Sequence, residues 1–365
     1  MCGRSRLRVY GSPSRRSVLP SPAMGEEVMR QALETVVGGR SLDVATARAV
    51  MDVMMDGNAS PAQVGALVAA LRTRGETVDE LAGMVDSMRA HATPVSLTVE
   101  AVDTCGTGGD SAGTFNISTA AALVAAGAGC PVAKHGNRAA SSRCGSADVL
   151  EALGVVISLS PQGVCRCVEE TGIGFLYAPD FHPALRHVAA VRRELGIRTV
   201  FNVLGPLANP ARVRHQSLGV SNHRLAPMMA EVLHRLGHIH ALVFTGPDGV
   251  DELGVAGSAR CYEVTAEGIR DFVLDPRDVG LEAAPLDAVR GGDAATNAAT
   301  IRSVLDGERG PRRDVVLLNA AAVLVAADRV TTLIDGIALA ARSIDSGAAG
   351  QTLERLARVS HEVAA

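Results

Sequence analysis

A chain of 365 residues with nearly half of its side chains hydrophobic is long enough to bury a large core and to divide into two domains. Its net charge of −4, with acids and bases spread along the sequence, offers no polybasic face; a nucleic acid or an anionic membrane is therefore not the expected partner, whereas a small anionic substrate needs only a local cluster of charge. The longest apolar runs, 120–128 and 315–327, are Ala-rich and too short to span a bilayer, and seven cysteines without CxxC spacing argue for a reducing compartment, the cytoplasm.

The first 23 residues are rich in Arg, Ser and Pro and lack acidic side chains, a composition shared with organelle transit peptides. The shortness of the stretch and its lack of an apolar run favour an over-long gene start or a disordered tail, placed at residues 1–25. Residues 26–96 read as a helical domain of four helices. Ser60-Pro61-Ala62-Gln63 supplies an N-cap, a Pro at the first helical position and a Gln that completes a capping box, and Thr77-Val78-Asp79-Glu80 repeats the device. Val64, Leu67, Val68 and Leu71 fall on one face of the first of these helices, and Leu81, Met84, Val85 and Met88 on one face of the next.

From residue 97 to the end, short β-prone runs alternate with Ala-rich helical segments, which predicts an α/β domain with a mostly parallel sheet. The expected strands are Val99–Asp103, Pro131–Lys134, Val155–Ser158, His215–Val220 and Ala241–Thr245. The stretch Pro161–Leu195 reads as mostly helical, with part of it returning to the first domain.

Four motifs carry chemistry. Asp103-Thr104-Cys105-Gly106-Thr107-Gly108-Gly109-Asp110 follows a predicted strand and precedes a helix that opens near Asn116. Its glycines free the backbone to present N–H groups to an anion, and Thr114, Asn116, Ser118 and Thr119 add donors at a helix N-terminus; phosphate or pyrophosphate is the natural ligand. The second motif runs from Lys134 through His135, Gly136, Asn137, Arg138, Ala139, Ala140, Ser141 and Ser142 to Ser146, again at the carboxyl end of a strand, where open α/β sheets bind ligands. The chain holds 34 arginines and one lysine, Lys134, so a compact ammonium retained there points to work that a guanidinium cannot do. The third motif, Gly249-Val250-Asp251-Glu252-Leu253, offers adjacent carboxylates of the kind that anchor Mg²⁺ together with substrate oxygens. The fourth leads from Phe181-His182-Pro183 through Arg192 to Phe201–Pro210, where an Arg facing an apolar pocket would give bidentate recognition of an aromatic carboxylate. His234, His238 and His240 are read as complements of a helix dipole rather than metal ligands.

Together, GTGGD, NIST, KHGNR with the following SS and GSAD, VFNVLGPLANP and the Asp-Glu pair resemble the anthranilate phosphoribosyltransferase family over residues 26–360. The resemblance implies a homodimer joined through the helical domains, with a cleft between the helical and α/β domains. There phosphoribosyl pyrophosphate donates its phosphoribosyl group to anthranilate, a step of tryptophan biosynthesis. By likeness, the phosphoribosyl pyrophosphate site comprises Gly106, Gly109, Asp110, Thr114, Asn116, Ile117, Ser118, Thr119 and the run from Lys134 to Ser142 with Ser146. Asn137 and Arg192 match anthranilate positions, Lys134, Arg192 and Asn137 carry catalysis by positioning, with the proton taken by solvent or by a weak base such as His135, and Ser118, Asp251 and Glu252 match Mg²⁺ ligands. Arg143-Cys144 and Gly254 depart from the family pattern at positions without an assigned role. A pyrimidine nucleoside phosphorylase-like enzyme and a non-catalytic nucleic-acid-binding relative on the same fold are the competing readings; the Asp-Glu pair and the lack of a basic surface weigh against them.

Overall fold

The computed structural model describes residues 22–109, 112–139 and 143–364, so the expectations for residues 1–21 and for Asp110, Ala140, Ser141 and Ser142 lie outside the described residues. Four helices come first: α1 (Pro22–Val37), α2 (Val44–Met55), α3 (Pro61–Arg74) and α4 (Val78–His91). Their starts are written in local chemistry. Asp43 caps α2 through Thr46 N, and Ser60 and Thr77 form reciprocal capping boxes with Gln63 and Glu80. The apolar faces predicted for α3 and α4 are buried.

The remainder is built in the order β1 (Val102–Gly106), α5 (Ile117–Gly127), β2 (Val132–Gly136), α6 (Ser146–Ala152), α7 (Pro161–Thr171), β3 (Ile173–Tyr177), α8 (Ala178–Phe181), α9 (Arg186–Leu195), α10 (Phe201–Leu204), β4 (His215–Gly219), α11 (Ala226–Arg235), β5 (His240–Thr245), β6 (Ala259–Thr265), β7 (Gly268–Leu274), α12 (Ala294–Leu305), α13 (Pro311–Ala326), α14 (Leu333–Asp345) and α15 (Ala348–Ala364). The strands form one sheet in the order β3-β2-β1-β4-β5-β6-β7, parallel from β3 to β5 and antiparallel beyond. The winding direction reverses between β1 and β4, so their following loops part and leave a crevice at the carboxyl ends. Alternation along β5 sends Leu242 and Phe244 into the core shared with α5 and α13, and Ala241 and Val243 into the core shared with α11 and α1–α4. No helix among the described residues is long and apolar enough to cross a membrane.

Three sequence expectations need correction. Val155–Ser158 is not a strand: Val156 N donates to Ser360 Oγ of α15 at 2.9 Å, and the sheet edge beside β2 belongs to β3. That strand lies inside the stretch read as mostly helical, because five apolar residues between two helices carry no periodicity that separates strand from helix. The hairpin β6–β7 is absent from the expected strands as well, since its outer strand is largely exposed and lacks an apolar run. Within 161–195, α7 packs into the core of the sheet domain, while Val188 and Val191 of α9 join Val200, Phe201 and Leu204 in the core of α1–α4.

Candidate active site

The glycine loop sits at the reversal point, and the spacing of its glycines has a steric cause. A Cβ on Gly106 would lie 2.2 Å from Asp251 Oδ2, and one on Gly219 would lie 1.7 Å from Asp251 O. Only glycine at the ends of β1 and β4 lets Asp251 descend between them, where Gly108 N donates to Asp251 Oδ2 at 2.6 Å. Gly108 and Gly109 turn with φ of 68° and 70°, the left-handed region that disfavours a Cβ. Two residues not singled out from sequence fasten this loop. Arg198 donates to Gly108 O at 2.7 Å, and Ser221 Oγ donates to the same carbonyl at 3.0 Å.

The N-terminus of α5 faces the acidic pair. Glu252 Oε1 accepts from Ser118 N at 3.3 Å, so a carboxylate already lies at the positive end of the helix dipole. Asn116 is occupied elsewhere: its amide donates to Cys144 O at 3.1 Å and accepts from Asn297 of α12 at 2.9 Å. Ile117 and Thr119 are buried in the helix packing, and Thr114 bridges to Arg290. The peptide after Glu252 is gripped by Asn319 of α13, whose side chain donates to Leu253 O at 2.8 Å and accepts from Leu253 N at 3.1 Å. No local pattern marks Asn297 or Asn319, because each acts on a loop far away in the chain.

Lys134, midway along β2, is buried and donates to Thr104 O and, at 3.3 Å, to Ser118 Oγ. Burial holds its pKa below the ordinary lysine value, against the attraction of Asp103 and Glu252. Asp103 is fully buried beneath it, with its carboxyl pushed up to about 6 by burial, and it accepts from His135 N at 3.1 Å. Lys134, Ser118 and Glu252 thus converge at one point, with Asp251 beside them on the glycine loop. Gly136 is required because a Cβ there would lie 2.3 Å from Ser146 Oγ. Asn137 is exposed and uses its main-chain oxygen to accept from Ser146 Oγ and Ala147 N. Arg138 pairs with Asp148 at 3.0 Å and Glu151 at 2.5 Å, and lies over the Tyr177 ring, while Ala139 N donates to Asp148. Its guanidinium is held against α6 by these pairs.

The segment 201–210 closes the other side. Arg192 of α9 is half-buried, takes part in no ion pair among the described residues, and lies 5.2 Å over the Phe201 ring. Asn209 donates to Ala133 O at 2.9 Å, fixing the residue before Lys134.

Residues 98–350 match the a/b domain of a glycosyl transferase family, and residues 30–92 match the helical bundle domain of that family. An anthranilate phosphoribosyltransferase from Thermomicrobium roseum is 58% identical over 91% of this chain and 97% of its own length. The chain belongs to the anthranilate phosphoribosyltransferase family. The crystal structure of the Thermus thermophilus member superimposes with a TM-score of 0.86 at 47% identity, covering 90% of this chain and 99% of that one. The Saccharomyces cerevisiae member, in complex with phosphoribosyl pyrophosphate and Mg, gives 0.85 at 28% identity, covering 92% and 99%.

Buried rings beside the family's KHGNR block give a pH prediction. His135 and His182 lie 5.1 Å apart between centroids, each with an unpartnered buried Nε2, and burial pushes them down to about 3 and about 4. Because both folded values lie below the ordinary 6.5, their stabilising contribution is complete above that pH and is lost as the pH falls towards 4 and 3. At pH 5 the two together remove about 4 kcal/mol; His238, also pushed down to about 3 by burial, removes about 2 kcal/mol more, and Asp103, with its raised folded value, offsets about 1 kcal/mol. Urea unfolding is expected to show a fall of about 5 kcal/mol between pH 7 and pH 5, reduced to about 1 kcal/mol in a His135→Gln/His182→Gln variant. An equal fall in both proteins contradicts the assignment.

Proposed function

We propose that this chain transfers the phosphoribosyl group of phosphoribosyl pyrophosphate to the amine of anthranilate, giving phosphoribosyl anthranilate and pyrophosphate in tryptophan biosynthesis. The observation that carries this reading is the convergence of Lys134, Ser118 and Glu252 beside Asp251 and the glycine loop. The relatives compared are named for this transfer and not for nucleoside phosphorolysis.

Ser118, Asp251 and Glu252 would hold Mg²⁺. All are hard oxygen donors, of the kind that hold an ion bound by one or two carboxylates together with substrate oxygens. When bound, the ion neutralises charge on the departing pyrophosphate. Lys134 places a fixed ammonium against the same donor, and the glycine loop offers backbone N–H groups. As the C1–O bond breaks, its electron pair leaves with pyrophosphate, and the amine nitrogen forms the new C1–N bond. Arg192 and Asn137 orient anthranilate, Arg192 through its carboxylate. Rings held neutral down to about 4 are poor proton acceptors, so the amine proton passes to water rather than to His135.

In this reading residues 26–96, joined by part of 161–195, form the helical domain and 97–365 the catalytic one, and two chains pair through their helical domains. Exposed Met24 and Val37 on α1 support that contact. The enzyme acts in the cytoplasm, in keeping with its free described cysteines, and has no nucleic-acid partner.

The test follows anthranilate fluorescence on mixing the protein with anthranilate, phosphoribosyl pyrophosphate and Mg²⁺; no decay removes the reading. Arg192→Ala is expected to raise the KM for anthranilate about tenfold to a hundredfold, the worth of a charge-assisted hydrogen bond of about 1.5–3 kcal/mol. The KM for phosphoribosyl pyrophosphate should stay put. A rise confined to phosphoribosyl pyrophosphate reverses the two subsites.

A further inference from the structure

We propose a second anion site, outside the cleft, where α2 and α4 meet the segment that enters β4, and we assign it a small phosphate-bearing ligand. A cavity of about 370 Å³ lies there, lined by Arg48, Asp86, Arg89, Arg212, Arg214 and His238 among others. Four arginines and a single acidic residue therefore line it.

Their ordinary partners do not balance them. Arg89 and Arg212 take part in no ion pair among the described residues; Arg48 has only Asp52 at 4.0 Å, and Arg214 only the exposed Glu100 at 3.3 Å. Arg89 Nε donates to Leu207 O at 2.9 Å, and Arg212 donates to Arg89 O at 3.2 Å, so backbone carbonyls stand where carboxylates would be expected. The field is felt by neighbours: burial lowers Arg89 to about 10 despite nearby Asp86, with Arg212 adding repulsion, and burial with Arg89 pushes His238 down to about 3. Arg48, Arg212 and Arg214 are exposed and Arg89 is half-buried, so the cost of lacking a counter-charge falls on Arg89, where an anion would relieve it.

A second, independent feature marks the same place. Arg212 has a φ of 50°, and only one other non-glycine among the described residues, Asp328, has a positive φ. Backbone held in this unfavourable region clusters at ligand clamps. Planar forks bind phosphate oxygens two at a time, and the volume lies at the small end of ligand pockets, suited to phosphate or a small phosphate ester. A bound anion would tie α2 and α4 to Leu207 and, through Asn209, to the strand that carries Lys134. The assignment does not depend on the proposed reaction.

The experiment compares the wild type with an Arg48→Ala/Arg212→Gly variant, using inorganic phosphate and ribose 5-phosphate as probes and chloride at matched ionic strength as control. Arg212→Gly relieves the left-handed backbone while removing a cation, so the variant should fold, as circular dichroism will show. Binding at the cleft is common to both proteins and cancels in the comparison. The expected result is one fewer phosphate site by calorimetry, or binding there weakened by at least about tenfold, with a smaller rise in Tm. A response to inorganic phosphate assigns the site to the free ion, and a tighter response to ribose 5-phosphate alone assigns it to esters. Identical isotherms and Tm shifts for the folded variant and the wild type overturn the proposal.

Discussion

Replacing Asp251 and Glu252 together by Ala is expected to leave a folded chain whose turnover falls by about a thousandfold and no longer responds to Mg²⁺. Losing the charge neutralisation that a metal gives to a departing pyrophosphate removes about 4 kcal/mol of transition-state stabilisation. The fold should survive, because these carboxylates accept from Gly108 N and Ser118 N at the partly exposed ends of a loop and a helix, and water can replace them there. The backbone of the segment also stays pinned by Asn319 through Leu253. Direct binding of Mn²⁺, followed by its electron paramagnetic resonance signal, separates lost metal from lost activity. A variant that still binds the ion and keeps its metal-dependent turnover removes the pair from the site.

Lys134→Arg is expected to lower turnover about a hundredfold and weaken phosphoribosyl pyrophosphate, with little change in anthranilate binding. In an Arg-rich chain, charge alone would have been met by Arg. The surroundings explain why it is not. Lys134 is 2% exposed, and its ammonium must donate to Thr104 O and Ser118 Oγ while lying over buried Asp103. A planar five-donor fork is larger, fixes its N–H directions in one plane where the ammonium can rotate to meet both acceptors, and overpacks the strand, a strain of about 1–3 kcal/mol. Steady-state kinetics on both substrates, with thermal unfolding as a control, decide the matter. Wild-type kinetics in the Arg variant would return the single lysine to chance.

What the chain determines by itself is local or recurrent. Ser60 with Gln63 and Thr77 with Glu80 set helix starts within four residues, and the inward faces of α3 and α4 follow from their spacing. The glycine loop, the KHGNR block and the acidic pair are local sequence features, and they are enough to identify the family. Tertiary structure decided which atoms those residues spend on one another. Arg138 lies by sequence beside Lys134, but only the fold shows that α6 brings Asp148 and Glu151 to its guanidinium. The need for glycine at 106 and 219 becomes visible only when Asp251 is lowered between two strands more than a hundred residues apart in sequence from one another. Asn209, Asn297 and Asn319 look like ordinary polar residues until each is seen to hold a distant loop. Strand β3 and the β6–β7 hairpin escape a reading of the sequence for the same reason: pairing partners, not local periodicity, make those segments strands, and partners are chosen by contacts across the sheet.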